Sequence, residues 1–357
     1  MNIMNNILIT GNQGYIGPAL VAILKEQYPS STVTGLDTGF FESRPTIQRA
    51  YPQILPDYQM VGDVRQLDAS VLSGFDAVIH LAAISNDPMG ETFSDVTKQI
   101  NLEASKDLAR RAKMSGVKRF VFASSCSVYG ASDDNAFVNE ESPLVPVTTY
   151  AKSKVLMEKY LSSLASPDFQ VVCLRFATAC GASSRLRLDL VLNDFVYTAL
   201  TSNKIKILSD GSPWRPLIDT QDMSRALIWA CYKYSDSALP FLAVNVGRND
   251  NNFRISELAE CVASQLPRTQ IVLNKDASPD KRSYKVDFNR FKQLAGADVP
   301  QMCITQSISQ LIDCIEPMLS QGGGTQMNDY KRLHILKGLI EAKHLDSCLY
   351  WNRSPAV

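Results

Sequence analysis

The apolar run at residues 7–10 ends in Gly11-Asn12-Gln13-Gly14-Tyr15-Ile16-Gly17, and a helical pattern begins at once over residues 18–26. Glycines at a strand-to-helix turn permit a sharp bend, close approach of a pyrophosphate and close packing of the new helix on the sheet. The free amides and positive end of that helix make an anion site that needs no lysine. A glycine loop alone is a weak signal. Its position between a strand and a helix commits the chain to a parallel α/β sheet with a dinucleotide cradle at its carboxyl edge.

The downstream pattern repeats that unit. Short β-rich apolar runs at 33–36, 58–61, 77–81, 120–123 and 171–174 alternate with helical spacing at 94–114 and 148–164. With residues 7–10 they predict a six-stranded, Rossmann-type doubly wound α/β sheet. After Arg175 the rhythm breaks into Gly-, Ser- and Arg-rich pieces, a helical run at 190–200 and a turn at 209–216; residues 218–232 and 242–246 read as a return to the sheet. A helix at 255–265, a strand at 270–273 and a helix at 305–319 follow, then a glycine joint at 322–324 and a helical piece at 330–343. The expected organisation is a dinucleotide-binding domain over 1–176, rejoined by about 217–247. A smaller α/β substrate lobe takes 177–216 and 248–321, and a C-terminal helical tail takes 322–357.

Charge narrows the partners. Lysine plus arginine and aspartate plus glutamate each total 36 in 357 residues, so no global field favours nucleic acid or an anionic membrane, and any polyanion site is local. The 8 cysteines show no CxxC spacing and predict free thiols in a reducing compartment. The opening MNIMNNILITG lacks a basic leader and no apolar run reaches membrane-span length, so a cytoplasmic enzyme is expected. No metal-ligand spacing is present.

Asp37 ends the second strand about twenty residues after the glycines, where a carboxylate accepts from both ribose hydroxyls and repels a 2′-phosphate; this favours NAD over NADP. Asp63-Val64, after the third strand, can present a carboxylate to the adenine amino group or simply cap a turn. Tyr150 and Lys154 stand four residues apart in a helix and project from one face. A nearby ammonium favours the phenolate, so this pair reads as a proton acceptor with its activating charge. Ser125, in Ser124-Ser125-Cys126-Ser127-Val128-Tyr129-Gly130 at the end of the fifth strand, would hydrogen-bond the reacting hydroxyl of a substrate while Tyr150 takes its proton.

The ordered set TGNQGYIG, Asp37, GDV, HLAA, Asn101, SSCSVYG, YAKSK and WRPLID resembles the extended short-chain dehydrogenase/reductase superfamily, in particular the NAD-dependent epimerase/dehydratase family typified by UDP-glucose 4-epimerase. The resemblance runs over about residues 5–320. It implies Ser125, Tyr150 and Lys154 as catalytic residues, Asn101 as support for the site, and Leu81, Ala82, Ala83 and Phe176 beside the cofactor. His80 then belongs to the packed strand. Arg215 matches a diphosphate-binding arginine and Arg282 is a second candidate; Ser85, Thr178, Asp189 and Asn193 are substrate-side candidates. Cys126 and Ser127 stand where the dehydratases carry an acid pair, and Ser85 stands where the epimerases carry a lysine. The resulting expectation is a homodimeric, NAD-dependent nucleotide-sugar epimerase working by transient oxidation at C4 in carbohydrate biosynthesis. The alternatives are a 4-keto-sugar reductase or dehydratase of the same family, or a non-catalytic NAD sensor.

Overall fold

In the computed structural model the described residues are 4–42, 54–131, 136–234, 238–274, 283–320 and 327–352. Arg282 and the glycine joint at 322–324 therefore lie outside the described residues. The main sheet comprises β1 (Asn6–Thr10), β2 (Thr32–Asp37), β3 (Tyr58–Val61), β4 (Ala77–His80), β5 (Arg119–Ser125), β6 (Gln170–Phe176) and β7 (Phe241–Val246). All its pairings are parallel, in the order β7-β6-β5-β4-β1-β2-β3. Its order reverses beside β1, between β2 and β4, which opens a crevice at the carboxyl edge. Of the segments expected to return to the sheet, residues 241–246 supply a seventh strand and residues 220–232 a helix that packs on it, while the Trp214–Asp219 strand pairs away from it with Thr178–Cys180 and Asn252–Arg254.

Side chains alternate across the sheet. Ile7, Ile9, Ala77, Ile79 and Val121 face a cluster with α1 (Gly17–Gln27), while Leu8, Val78, Phe120 and Phe122 face the opposite cluster with α2 (Ser105–Met114) and α3 (Thr149–Leu164). A third cluster joins α4 (Val191–Ser202), α6 (Ile255–Gln265) and α7 (Ile304–Ser320) and forms the smaller lobe; α5 (Thr220–Tyr232) packs beside α1 on the main sheet. Burial of each such Leu or Ile stabilises by about 2 kcal/mol, so both sheet faces are strongly specified.

The tail docks on the dinucleotide half. Ile335, Leu336 and Leu339 of α8 (Arg332–Glu341), with Leu345 and Leu349 beyond it, are buried in the same cluster as α2 and α3. The single helix expected over 94–114 is interrupted by a π turn at Gln99–Ala104. The Asp87–Thr92 and Asn289–Ala295 helices were not legible in the sequence pattern. All 8 cysteines are free thiols, and among the described residues no helix is long and apolar enough to cross a membrane.

Candidate active site

A cleft of about 950 Å³ opens at the carboxyl edge of the sheet and runs from β2 to the smaller lobe. At its floor Gly11 adopts φ +77° and its amide donates to Leu36 O at 2.7 Å; a Cβ there would lie 2.6 Å from the Ala82 nitrogen. Gly14 has only the Gly11 carbonyl near its own Cβ direction, at 3.1 Å, so the loop stays open toward the cleft. No side chain caps α1, and Pro18 in its first turn removes an amide that would have no partner; the remaining amides are available to an anion. This cradle fits a pyrophosphate.

Gly11, Gly14, Tyr15, Ile16, Asp37, Asp63, Val64, Leu81, Ala82, Ala83 and Phe176 all line the cleft, with Ser85, Thr178, Asp189 and Arg215 toward the lobe. Three loop residues do not. Asn12 turns inward and donates to Gln59 Oε1 at 2.7 Å, Gly17 packs against the Asn12 backbone, and Gln13 faces Asp37 through its amide at 3.1 Å. Their part is to shape the turn. Asp37 also accepts from Gly39 N at 2.9 Å, and burial pushes its carboxyl up from the ordinary range against those hydrogen bonds. Asp63 is gripped by Arg65 through both carboxylate oxygens, so it anchors a turn as well as facing the cleft.

The reacting cluster sits where β5 and α3 meet. Thr148 caps α3 by accepting from Ala151 N at 3.1 Å, which brings Tyr150 and Lys154 onto its cleft face. Tyr150 and Ser125 line the same part of the cleft. Burial first, then the Asp87 carboxylate, pushes the phenol up to about 12, while Ser125 and the Arg187 charge pull the other way. The sequence-based expectation that Lys154 would lower this value is corrected. The ammonium is held by the Ala123 carbonyl at 2.7 Å and lies 5.4 Å from the phenol ring centroid, and burial pushes Lys154 itself down to about 8 against the Glu158 charge. Beside them the Ser127 hydroxyl is buried without a hydrogen-bond partner and lines the cleft.

Neighbouring candidates divide into supports and bystanders. Asn101, on the π turn, lies behind the site: it accepts from Ile84 N at 2.8 Å and donates to Ile84 O at 2.9 Å, pinning the loop after β4. His80 bonds Thr10 and Ser105 at 2.7 and 2.8 Å and is pushed down to about 3 by burial, so it stays neutral in the core. Cys126 donates to the Arg175 carbonyl at 3.1 Å and burial raises its thiol well above the ordinary range, which removes it from acid chemistry. Asn193 is corrected from substrate contact to cross-link: fully buried, it accepts from Gly181 N and donates to Tyr15 OH and Arg187 O.

The sequence missed Arg187. Its guanidinium chelates Asp189 at 2.9 and 2.8 Å and donates to Ser85 at 3.0 Å, so a cation from the smaller lobe stands next to the position where the family carries a lysine. The signal was the alternation Arg185-Leu-Arg187-Leu-Asp189, which points polar groups to one side. Asn86, Asp87, Lys331 and Arg332 also line the cleft and were not anticipated. Among the described residues no group of three or more His, Cys, Asp or Glu could hold a metal ion.

The family description "NAD dependent epimerase/dehydratase family" matches residues 7–247. UDP-arabinose 4-epimerase 1 of Arabidopsis thaliana is 30% identical over 193 residues, covering 52% of this chain and 45% of that enzyme. UDP-glucose 4-epimerase of Neisseria meningitidis serogroup C is 30% identical over 190 residues, covering 50% and 54% respectively. The chain thus spans about half the length of the curated relatives it matches. Among solved structures, the Thermotoga maritima UDP-glucose 4-epimerase with UDP-glucose aligns with a TM-score of 0.75 and 20% identity over 88% of this chain and 99% of that one. The NAD-dependent NDP-hexosamine 5,6-dehydratase TunA aligns with a TM-score of 0.75 and 22% identity over 91% and 100%. These structural likenesses concern the fold, and with the matched profile they lead to one statement of kinship: the chain belongs to the NAD dependent epimerase/dehydratase family.

Proposed function

We propose that the protein holds NAD along the cleft and interconverts C4 epimers of a nucleotide sugar by transient oxidation. One observation carries the reading: Ser125, Tyr150 and Lys154 converge at the edge of the same cleft whose other end is the glycine cradle and Asp37. The glycine loop and α1 would hold the pyrophosphate, Asp37 the adenosine ribose, and Lys154 the second ribose. Bound NAD would supply the hydride acceptor at the sugar carbon. Tyr150, beside Ser125, would take the proton of the C4 hydroxyl as hydride leaves. A phenol raised to about 12 is matched to an alcohol as proton partner.

The residues after Ser125 favour epimerisation over dehydration. Cys126 is turned into the core and Ser127 offers a neutral hydroxyl, so neither can serve as an acid pair. The substrate lobe at 177–216 and 248–321 would bind the nucleotide diphosphate through Arg215 and Arg187, with Ser85, Thr178 and Asp189 near the sugar; Arg282 remains a candidate. The exposed Leu156 on α3 and Met114 on α2 support pairing of two copies through these helices. The free thiols support a cytoplasmic setting, with carbohydrate biosynthesis as the process served.

The test is a panel of UDP-, GDP- and dTDP-sugars incubated with NAD-loaded protein, with products identified by NMR. Epimer formation with no net NADH release, abolished in Tyr150→Phe while NAD binding survives, is expected. Turnover that consumes NADH and reduces a 4-keto sugar would move the assignment to a reductase; NAD binding with no turnover on any sugar would leave a sensor.

A further inference from the structure

We infer that the C-terminal tail is part of the cofactor site, with Arg332 at the start of α8 gripping the diphosphate of the bound dinucleotide from the side opposite the glycine loop. The inference rests on the reading that NAD occupies the cleft, and deepens it by naming a wall of that site.

Arg332 is only 4% exposed yet lines the cleft. Its guanidinium lies 4.0 Å from the Phe41 ring centroid and donates to the Arg185 carbonyl at 3.3 Å. Among the described residues it has no carboxylate within ion-pair distance, while Asp189, the nearby acid, is already chelated by Arg187. Burial pushes Arg332 down to about 9; Arg187 and Arg185 push the same way, against Asp189 and Asp37. A buried, undercompensated cation is costly unless an anion completes the site. The groups that act on it bracket its place: Asp37 marks the adenosine end of the cradle and Arg187 the reacting end. Between those two stations runs a dinucleotide's pyrophosphate. A guanidinium fork suits it, and the opposite wall of glycine amides carries no formal charge.

The tail is built to hold that group in place. Arg65 donates to Cys348 O at 2.7 Å and Leu349 O at 3.0 Å and stacks 3.6 Å from the Tyr350 ring centroid. Trp351 Nε1 donates to Thr38 O at 2.7 Å, one residue past Asp37. The tail is therefore strapped to the residue that follows Asp37, at the adenosine end.

The experiment uses full-length protein stripped of nucleotide, with binding of NAD, ADP-ribose, adenosine and UDP measured by calorimetry and NAD release by stopped-flow fluorescence. Arg332→Met should weaken NAD and ADP-ribose about 10- to 100-fold, the range for a lost charge-assisted hydrogen bond, and leave adenosine and UDP unchanged. Arg332→Lys should recover part of the loss. Trp351→Ala, which loosens the strap without removing the cation, should speed NAD release more than it slows association. Wild-type NAD affinity and release in Arg332→Met would overturn the inference while leaving the proposed function standing; a loss confined to UDP would overturn it by assigning the arginine to the sugar nucleotide. Failure of the wild-type protein to bind NAD would sink the underlying reading instead.

Discussion

Replacement of Glu158 by glutamine should destabilise the protein by about 3–5 kcal/mol, the cost of breaking a buried ion pair from one side. Arg175 donates to both oxygens of Glu158, from Nε at 3.1 Å to each and from Nη2 at 2.7 Å to one, with side chains 7% and 5% exposed. The same guanidinium donates to Tyr129 OH at 3.1 Å, and that hydroxyl donates to Asn245 at 2.7 Å. An amide at 158 leaves the arginine charged, dry and facing an NH₂ group. Urea unfolding followed by circular dichroism reads the loss. The double variant Glu158→Leu with Arg175→Met removes both charges and should lose less than Glu158→Gln alone, a coupling of the kind seen between groups in one network. A second readout separates this from a generic core defect: Glu158 opposes the downward shift of Lys154, so in Glu158→Gln the lysine should lose its proton below about 8 and the alkaline limb of the activity profile should move to lower pH. A single-variant cost below about 1 kcal/mol, with additive doubles and an unmoved profile, would refute the reasoning.

Three further outcomes are expected. His80 is held near 3 against an ordinary 6.5, so below 6.5 the unfolded chain takes up a proton that the folded one refuses, and stability falls with pH through the window from 6.5 to 3. Between pH 7 and pH 5 the loss is about 2 kcal/mol; His80→Gln should flatten that part of the urea-midpoint profile, and parallel profiles would argue against it. Gly11→Ala forces a Cβ to 2.6 Å from the Ala82 nitrogen at a left-handed φ of +77°, so NAD affinity should collapse with a stability cost of about 2 kcal/mol; wild-type NAD titration would rule the cradle out. Asp37→Ser removes the carboxylate that repels a 2′-phosphate while the charges of Arg185 and Arg332 remain close by, so the NADP-to-NAD affinity ratio should rise by about tenfold or more; an unchanged ratio in competition binding would exclude Asp37 as the discriminating group.

The strands of the main sheet were legible because most are short apolar runs buried on two faces, the exposed edge strand β3 being the exception, and β1 through β6 fall where those runs stand. The glycine turn and the 150/154 spacing were legible because they are local. The less visible features are set by distant parts of the chain. The π turn at Gln99–Ala104 leaves no mark in a helical apolar pattern, since it is a slip in backbone pairing at the residue whose side chain clamps Ile84. Arg187 gains its meaning from Ser85, 102 residues away, and the Trp214–Asp219 strand from partners at Thr178–Cys180 and Asn252–Arg254. Residues 330–343 read as a short amphipathic helix; nothing in that spacing says that its first arginine faces a cleft built three hundred residues earlier. Tyr150 shows the limit for charge: the spacing showed which groups are neighbours, but burial and Asp87 decide the sign.

The bond from Trp351 to Thr38 joins points 313 residues apart, and this separation sets a timetable for biosynthesis. At about 5–20 residues per second, a ribosome needs roughly 15–60 s to travel between them. During that interval the nascent β1-α1-β2 unit can already fold, but its outer rim is still unmade. Arg332 and the strap that holds it join the cleft only once residues 332–351 have emerged and seated.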